Sequence, residues 1–330
     1  MKRPLLSFIL SIQMIVCLGQ TVLNDPHWEL LWEDHFNYLD LSTWAVRNSF
    51  DHYGEPQVYT NRPNNVYISD GNLVLSINEE SYHCTNINYW ACNNEWYSYT
   101  SGWVETLSSK NVQYGLIQSR IKVPFGYGLW PAFWTFVGSG VSGANAAEID
   151  IFEMLGTLPS NIITTNIHTD YNNEPNNYQE HNMGNYANGY HNYAVAWSPS
   201  KIVWYVDGQP IRISNNHGIA DPVRIILNIA ITPQALPNAS TTFPSKMYID
   251  FVKVYELKKD CNNNISECAF DFNSIDYRVK RDIQIGGAGC SNSVPNNSNI
   301  YLRATESVKI EGSFTVPIGS SFFIDVDTCY

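Results

Sequence analysis

Ala147-Glu148-Ile149-Asp150-Ile151-Phe152-Glu153 sets three carboxylates into a run otherwise built of strand-forming apolar residues. Side chains alternate faces along a regular strand, so Glu148, Asp150 and Phe152 would share one face, and Glu153 would take the other. One extra residue inserted as a β-bulge near Ile151-Phe152 restores the phase and brings all three acids onto one face. Two carboxyls held close on one face suit glycosidic hydrolysis: one attacks the sugar carbon while the other, kept protonated, gives its proton to the leaving oxygen. A separation of about 5–5.5 Å selects the retaining, double-displacement route. Asp150 between them would tune both neighbours by charge and hydrogen bonding. An exposed acidic edge strand or a calcium site would also place acids at alternate positions.

A Trp-rich segment lies just upstream. It runs Tyr114-Gly115-Leu116-Ile117-Gln118-Ser119-Arg120-Ile121-Lys122-Val123-Pro124, then Gly128-Leu129-Trp130-Pro131-Ala132-Phe133-Trp134. Pro131 restricts Trp130 to extended geometry. Alternation then points Trp130 and Trp134 the same way, so both are candidates for rings that flank the acids and stack on sugar. The competing reading is that they fill the core.

Together these segments resemble the laminarinase-type branch of glycoside hydrolase family sixteen, the endo-β-1,3-glucanases and their relatives. Further matches are Trp32-Glu33-Asp34-His35-Phe36-Asn37, Asn65-Val66-Tyr67, Asp70-Gly71-Asn72-Leu73, Tyr193-Ala194-Val195-Ala196-Trp197, Trp204-Tyr205-Val206-Asp207-Gly208, Leu227-Asn228-Ile229-Ala230 and Tyr248-Ile249-Asp250-Phe251-Val252-Lys253-Val254-Tyr255. Their order and spacing hold over residues 28–256. The resemblance implies Glu148 as nucleophile, Glu153 as general acid/base and Asp150 as the assisting acid. It also implies a substrate-binding set of Trp130, Trp134, His168, Asn65 and Trp103. Trp103 stands where many relatives carry Arg. His168 falls where the family often has a His facing the acids, and is expected to bond Asp150 or the substrate. No cofactor is implied for catalysis. A structural calcium is implied on the opposite face, held by Asp250 and the Gly71 carbonyl, although His35 replaces the acid common at that point.

The rest of the chain reads as short runs rich in Val, Ile, Tyr and Trp, separated by Gly, Pro, Asn and Asp: Asn72 to Asn78, Gly115 to Val123, Ile162 to His168, Tyr190 to Trp197, Ile202 to Val206, Val223 to Ile231 and Met247 to Tyr255. Strand after strand without intervening helical periods predicts an all-β, antiparallel β-sandwich. The family resemblance makes it a jelly roll with an open concave cleft. Asn-rich stretches at Asn86 to Asn94 and Asn172 to Asn188 read as long loops, either walling the cleft or free in solvent.

Residues 1–19 read as a signal peptide, with Lys2 and Arg3 before an apolar run from Leu5 to Leu18 and a cut at Gln20. A secreted location follows, and no second run is long enough to span a membrane. The β-sandwich is assigned to residues 20–257. A small disulfide-containing all-β module takes residues 258–330, where strands alternate around Gly312 and Gly319. Its last forty or so residues resemble the stacked-strand modules appended to secreted Bacteroidetes proteins.

Seven cysteines, less Cys17 of the leader, leave six, an even number suited to an oxidising compartment. Cys84 and Cys92 bracket a short loop and are expected to pair. Cys261–Cys268 with Cys290–Cys329 is the preferred one of three connectivities for the rest. No Cys-x-x-Cys spacing supports zinc. The net charge of −12 argues against nucleic acid and anionic membranes and suits a neutral ligand. Ten Trp and 21 Tyr supply rings for sugar C–H faces, with Trp197 and Trp204 read as core. The expected partner is a β-glucan, bound by a monomer. Mixed-linkage glucan, agar or another galactan is the first alternative, and a non-catalytic glucan-binding protein the second.

Overall fold

The computed structural model describes residues 28–326, apart from 51, 53, 87–91, 93, 138–146, 170–176, 183, 185–188, 199–200, 258–260, 273–278 and 297–298. The leader, Cys329 and most of both Asn-rich stretches therefore lie outside the described residues. The chain is all-β, and two sheets make the body. The larger, ten-stranded sheet runs Gln209–Asn215, Lys201–Val206, His191–Trp197, Gly115–Lys122, Ser245–Leu257, Asn72–His83, Trp96–Ser101 and Gln57–Tyr59, with Trp28–Asp34 and Val66–Ser69 paired off this path. The smaller, seven-stranded sheet runs Gln179–Asn182, Ile162–His168, Glu148–Glu153, Leu129–Val137, Val223–Ile231, Trp103–Thr106 and Trp44–Val46. Pairing is antiparallel except between Gln57–Tyr59 and Trp96–Ser101.

Alternation explains how the layers close. Val223–Ile231 and Leu129–Val137 send Ile225, Leu227, Ile229, Phe133 and Val137 into the shared core, where they meet Leu73, Leu75, Ile117, Ile121, Val195 and Val252 from the other sheet. Trp44, Trp197 and Trp204 are fully enclosed there. Their N–H groups are satisfied by Asp34 Oδ2 at 2.8 Å, Asn216 Oδ1 at 3.3 Å and the Asp150 carbonyl at 2.8 Å, as buried indoles require. This agrees with the core reading of Trp197 and Trp204.

The C-terminal strands Ile265–Glu267, Val279–Ser293, Asn299–Thr315 and Ser321–Val326 form a separate four-stranded sheet, each parallel to the next. They surround their own apolar cluster of Phe270, Phe272, Ile283, Ile285, Val294, Leu302 and Ala304. Glycine at position 312 does not end a strand, as its spacing suggested; the strand continues through it at φ 84°. A Cβ on Gly312 would lie 2.6 Å from two neighbouring carbonyl oxygens, and one on Gly286 2.2 Å from the Glu311 carbonyl. Only glycine lets stacked backbones approach this closely while turning.

Cys84 pairs with Cys92 as expected. Cys268, however, pairs with Cys290, so neither Cys261–Cys268 nor Cys290–Cys329 forms. The parallel stack brings the start of the module beside Val279–Ser293, where Asn292 Nδ2 also reaches the Cys268 carbonyl at 2.9 Å. Sequence proximity misled because the stacking contact is non-local. No described helix is long and apolar enough to cross a membrane.

Candidate active site

The acid strand carries the irregularity that its sequence calls for. Against Leu129–Val137, Asp150 faces Trp134 and Phe152 faces Phe133, so two residues oppose one at Ile151-Phe152. On its other side, Asp150 faces Asn166 and Glu153 faces Thr164, again with a register shift. Ile149, Ile151 and Phe152 turn into the core. Glu148, Asp150 and Glu153 therefore share the opposite face, in successive rungs with Phe136 and His168, with Trp134 and Asn166, and with Ala132 and Thr164. The Trp204 N–H holds the Asp150 carbonyl from below, fixing the backbone where the bulge begins.

Electrostatics separate the acids. Glu153 is pushed up to about 8 from an ordinary carboxylate, chiefly by burial and secondarily by the negative charge of Asp150. Hydrogen bonds from Trp130 Nε1 to its Oε1 (2.7 Å) and from Thr164 Oγ1 to its Oε2 (3.4 Å), with the nearby His168, offset this only in part. The shift favours the protonated form of Glu153 at neutral pH, the form that a proton donor requires. Asp150 is 3% exposed. Its Oδ2 accepts no hydrogen bond, and lies 3.3 Å from His168 Nε2, which is also 3.7 Å from Glu148 Oε1. The Asn166 amide sits 3.0 Å from the same ring nitrogen. Glu148, Asp150 and His168 also bring three potential ligand atoms within 4.8 Å of one another.

The expected sugar-binding residues divide. Trp130 is partly exposed on the acid-bearing face, its N–H committed to Glu153. Trp134 points the same way but is enclosed: its N–H bonds Asn228 Oδ1 at 2.8 Å, and its ring packs edge-on to Trp103 and Phe136. Trp103 is 3% exposed, boxed by Phe50, His52, Tyr59 and Trp134, and donates to Glu105 Oε2 at 3.0 Å. Glu105 Oε1 in turn accepts Arg47 Nη2 at 2.6 Å and Arg224 Nη1 at 2.9 Å. Trp134 and Trp103 thus build the floor beside the acids rather than offer a free ring. Asn65 has no exposed surface. Its amide nitrogen donates to the Ser76 carbonyl and Thr100 Oγ1, and its oxygen accepts from Thr60 and Arg62, which leaves nothing for a sugar.

The calcium residues do not fit a cation. Asp250 Oδ2 is 2.5 Å from Arg120 Nη1, so a guanidinium already balances the carboxylate. Arg120 is in turn held over the Tyr190 ring at 4.5 Å. His35 is turned to Glu33 Oε2 at 3.0 Å, and that carboxylate is also taken by Lys253 at 2.7 Å. Hard oxygen donors in excess, which Ca²⁺ requires, are not what these side chains provide.

Thr164 and Asn166 belong to the site and are not singled out by the sequence, which reads Trp204 as core alone. Thr164, Asn166 and His168 do alternate with Ile163, Thr165 and Ile167, a polar stripe matching the acids across the ladder.

Residues 54–253 match the family described as glycosyl hydrolases family 16, and the chain belongs to that family. Glucan endo-1,3-beta-glucosidase A1 of Niallia circulans is 31% identical over 264 residues, 69% of this chain and 38% of that protein. Endo-1,3-1,4-beta-glycanase EglC of Rhizobium meliloti is 33% identical over 166 residues, 50% of this chain and 35% of that one. The chain thus spans well under half the length of either relative. The endo-beta-1,3-glucanase structure from Pyrococcus furiosus superimposes with a TM-score of 0.62 at 29% identity, covering 70% of this chain and 95% of that chain.

Proposed function

We propose that this chain is a secreted, endo-acting glycoside hydrolase that cleaves β-1,3-glucan with retention of configuration. The observation that carries the reading is the bulge at Ile151-Phe152, which sets Glu148 and Glu153 on one face while burial and Asp150 keep Glu153 protonated. In the first step a Glu148 oxygen attacks the anomeric carbon as the glycosidic C–O bond breaks. Glu153 passes its proton to the departing sugar oxygen, leaving a glycosyl ester on Glu148. Glu153, now a carboxylate, takes a proton from a water that attacks the same carbon and frees Glu148. His168 beside Glu148 and Asp150 balances charge during this exchange.

The named activities of the relatives support a β-glucan. The Rhizobium meliloti relative favours mixed-linkage glucan as the second reading. Incubation with laminarin, lichenan, agarose and carrageenan, followed by sizing of products, tests both: endo-cleavage of laminarin supports the first, cleavage of lichenan alone the second. Secretion is supported by the leader-like residues 1–19, and sequencing the N-terminus of protein recovered from the medium tests it.

A further inference from the structure

Trp96 keeps its indole in water, where a buried ring would serve folding better. Among the described tryptophans it alone is exposed, at 69%. Single exposed apolar side chains are common on protein surfaces, so exposure by itself marks nothing. The setting of this ring is what differs. Asn72–His83 and Trp96–Ser101 run antiparallel in the larger sheet, and His83 lies directly opposite Trp96. Their rings stack with centroids 4.6 Å apart and planes 14° from parallel, and His83 is exposed as well. Such a stack fixes the orientation of the indole and leaves its other face outward.

The hairpin beneath the pair is pinned. Beside His83, the Cys84 N–H donates to the Glu95 carbonyl at 2.9 Å, and Cys84 is bonded to Cys92. Tyr97 is buried with Val58 and both cysteines, and Arg62 lies over the Tyr82 ring at 4.4 Å. Alternation thus commits Tyr82 and Tyr97 to the protein and sends His83 and Trp96 to solvent, together with exposed Ser98. The same anchor leads toward the acid-bearing face. The Cys92 N–H donates to the Ser49 carbonyl at 3.2 Å, and the adjoining Phe50 ring packs edge-on to Trp103 at 5.3 Å.

We propose that Trp96 and His83 form a docking platform for a neutral polysaccharide, separate from the acid strand, which holds one stretch of a chain while another enters the cleft. The ligand class rests on the glucan-cleaving reading of the acids, although the platform uses none of them. A flat indole covers the apolar C–H face of a sugar ring, and the Ser98 hydroxyl offers a partner for sugar hydroxyls on the same face. Because the stack already holds the ring, little rotamer freedom is lost on binding. One ring pair is far smaller than a stable protein interface, which takes about 800 Å² from each partner. The net charge of −12 disfavours an anionic membrane. A long glycan fits both limits, and tethering it here raises the local concentration of its bonds near the acids.

Two measurements on the intact chain test this, with melting temperatures alongside. The first compares wild type, Trp96→Ala and His83→Ala on laminarin and on laminaritetraose, a short chain that occupies the cleft alone. For Trp96→Ala, KM on laminarin should rise about tenfold at unchanged kcat, with a smaller rise for His83→Ala, while kcat/KM on the tetrasaccharide keeps its wild-type value. Equal losses on both substrates would make Trp96 a structural residue, and no loss on either would make it bare surface; each result overturns the proposal. The second measures retardation in native gels cast with laminarin, lichenan or agarose, using Glu148→Gln with and without Trp96→Ala. Retardation that Trp96→Ala weakens in at least one gel supports the platform even where laminarin is not cleaved, and then only the substrate reading fails. Retardation in no gel, or retardation indifferent to Trp96, overturns the platform. So does a wild-type chain that sediments as a dimer and becomes monomeric in Trp96→Ala, since the occupant would then be a second copy.

Discussion

Trp130 Nε1 donates a 2.7 Å hydrogen bond to Glu153 Oε1, so this indole orients the proposed proton donor as well as lining the face on which sugar would lie. That bond favours the anionic form of Glu153 and opposes the effect of burial. Trp130→Phe keeps a ring but loses the N–H. Its alkaline limb is expected to move to higher pH, and kcat to fall about tenfold as Glu153 loses its fixed rotamer. A pH profile of kcat/KM checks both.

The raised Glu153 also links pH to stability. Its folded value of about 8 lies above the 4.5 of an ordinary glutamate, so between those limits the folded chain holds a proton that the unfolded chain has released. For a carboxylate shifted upward, this contribution is unfavourable once the unfolded group ionises, and stability falls as pH rises from about 4.5 to about 8. Glu153→Gln, which cannot ionise, should abolish most activity yet melt higher than wild type at pH 8, with the gap closing toward pH 4. Differential scanning calorimetry across that range measures it.

Trp103 and Asn65 should behave as structure. Trp103→Ala empties a closed aromatic box and removes the donor to Glu105, at a cost of about 3–5 kcal/mol. Asn65→Ala strands Thr60, Arg62, Ser76 and Thr100 groups, at a cost of about 1–3 kcal/mol. Urea titration should show both losses. Michaelis constants on laminarin at a temperature where each variant stays folded should be nearly unchanged.

The catalytic strand was legible because its oddity is local: acids spaced two and then three apart cannot share a face without a bulge, and the ladder supplies one at that point. Strand positions were legible for the same reason, with Ile162–His168 and Val223–Ile231 matching their runs end to end. What escaped was set by partners remote in sequence. Alternation pointed Trp134 correctly, but not the lid of Trp103 and His52 that encloses it. Nothing in Asp250 alone shows Arg120 beside it. The Cys268–Cys290 bridge likewise depends on a parallel stack that spacing does not encode.

That bridge closes 22 residues of sequence separation at the start of the C-terminal module. Cys268→Ser and Cys290→Ser should each destabilise the module by about 2–4 kcal/mol and by the same amount as the double variant. Peptide mapping without reduction should recover the two cysteines linked.

The anomeric form of the first product distinguishes retention from inversion at the sugar carbon. Hydrolysis of laminarin followed by proton NMR in the opening minutes should show the β-anomer appearing first and mutarotating later, and Glu148→Gln should lose this activity. Early release of the α-anomer, or a Glu148→Gln chain that still cleaves laminarin, would contradict a retaining mechanism built on Glu148 and Glu153.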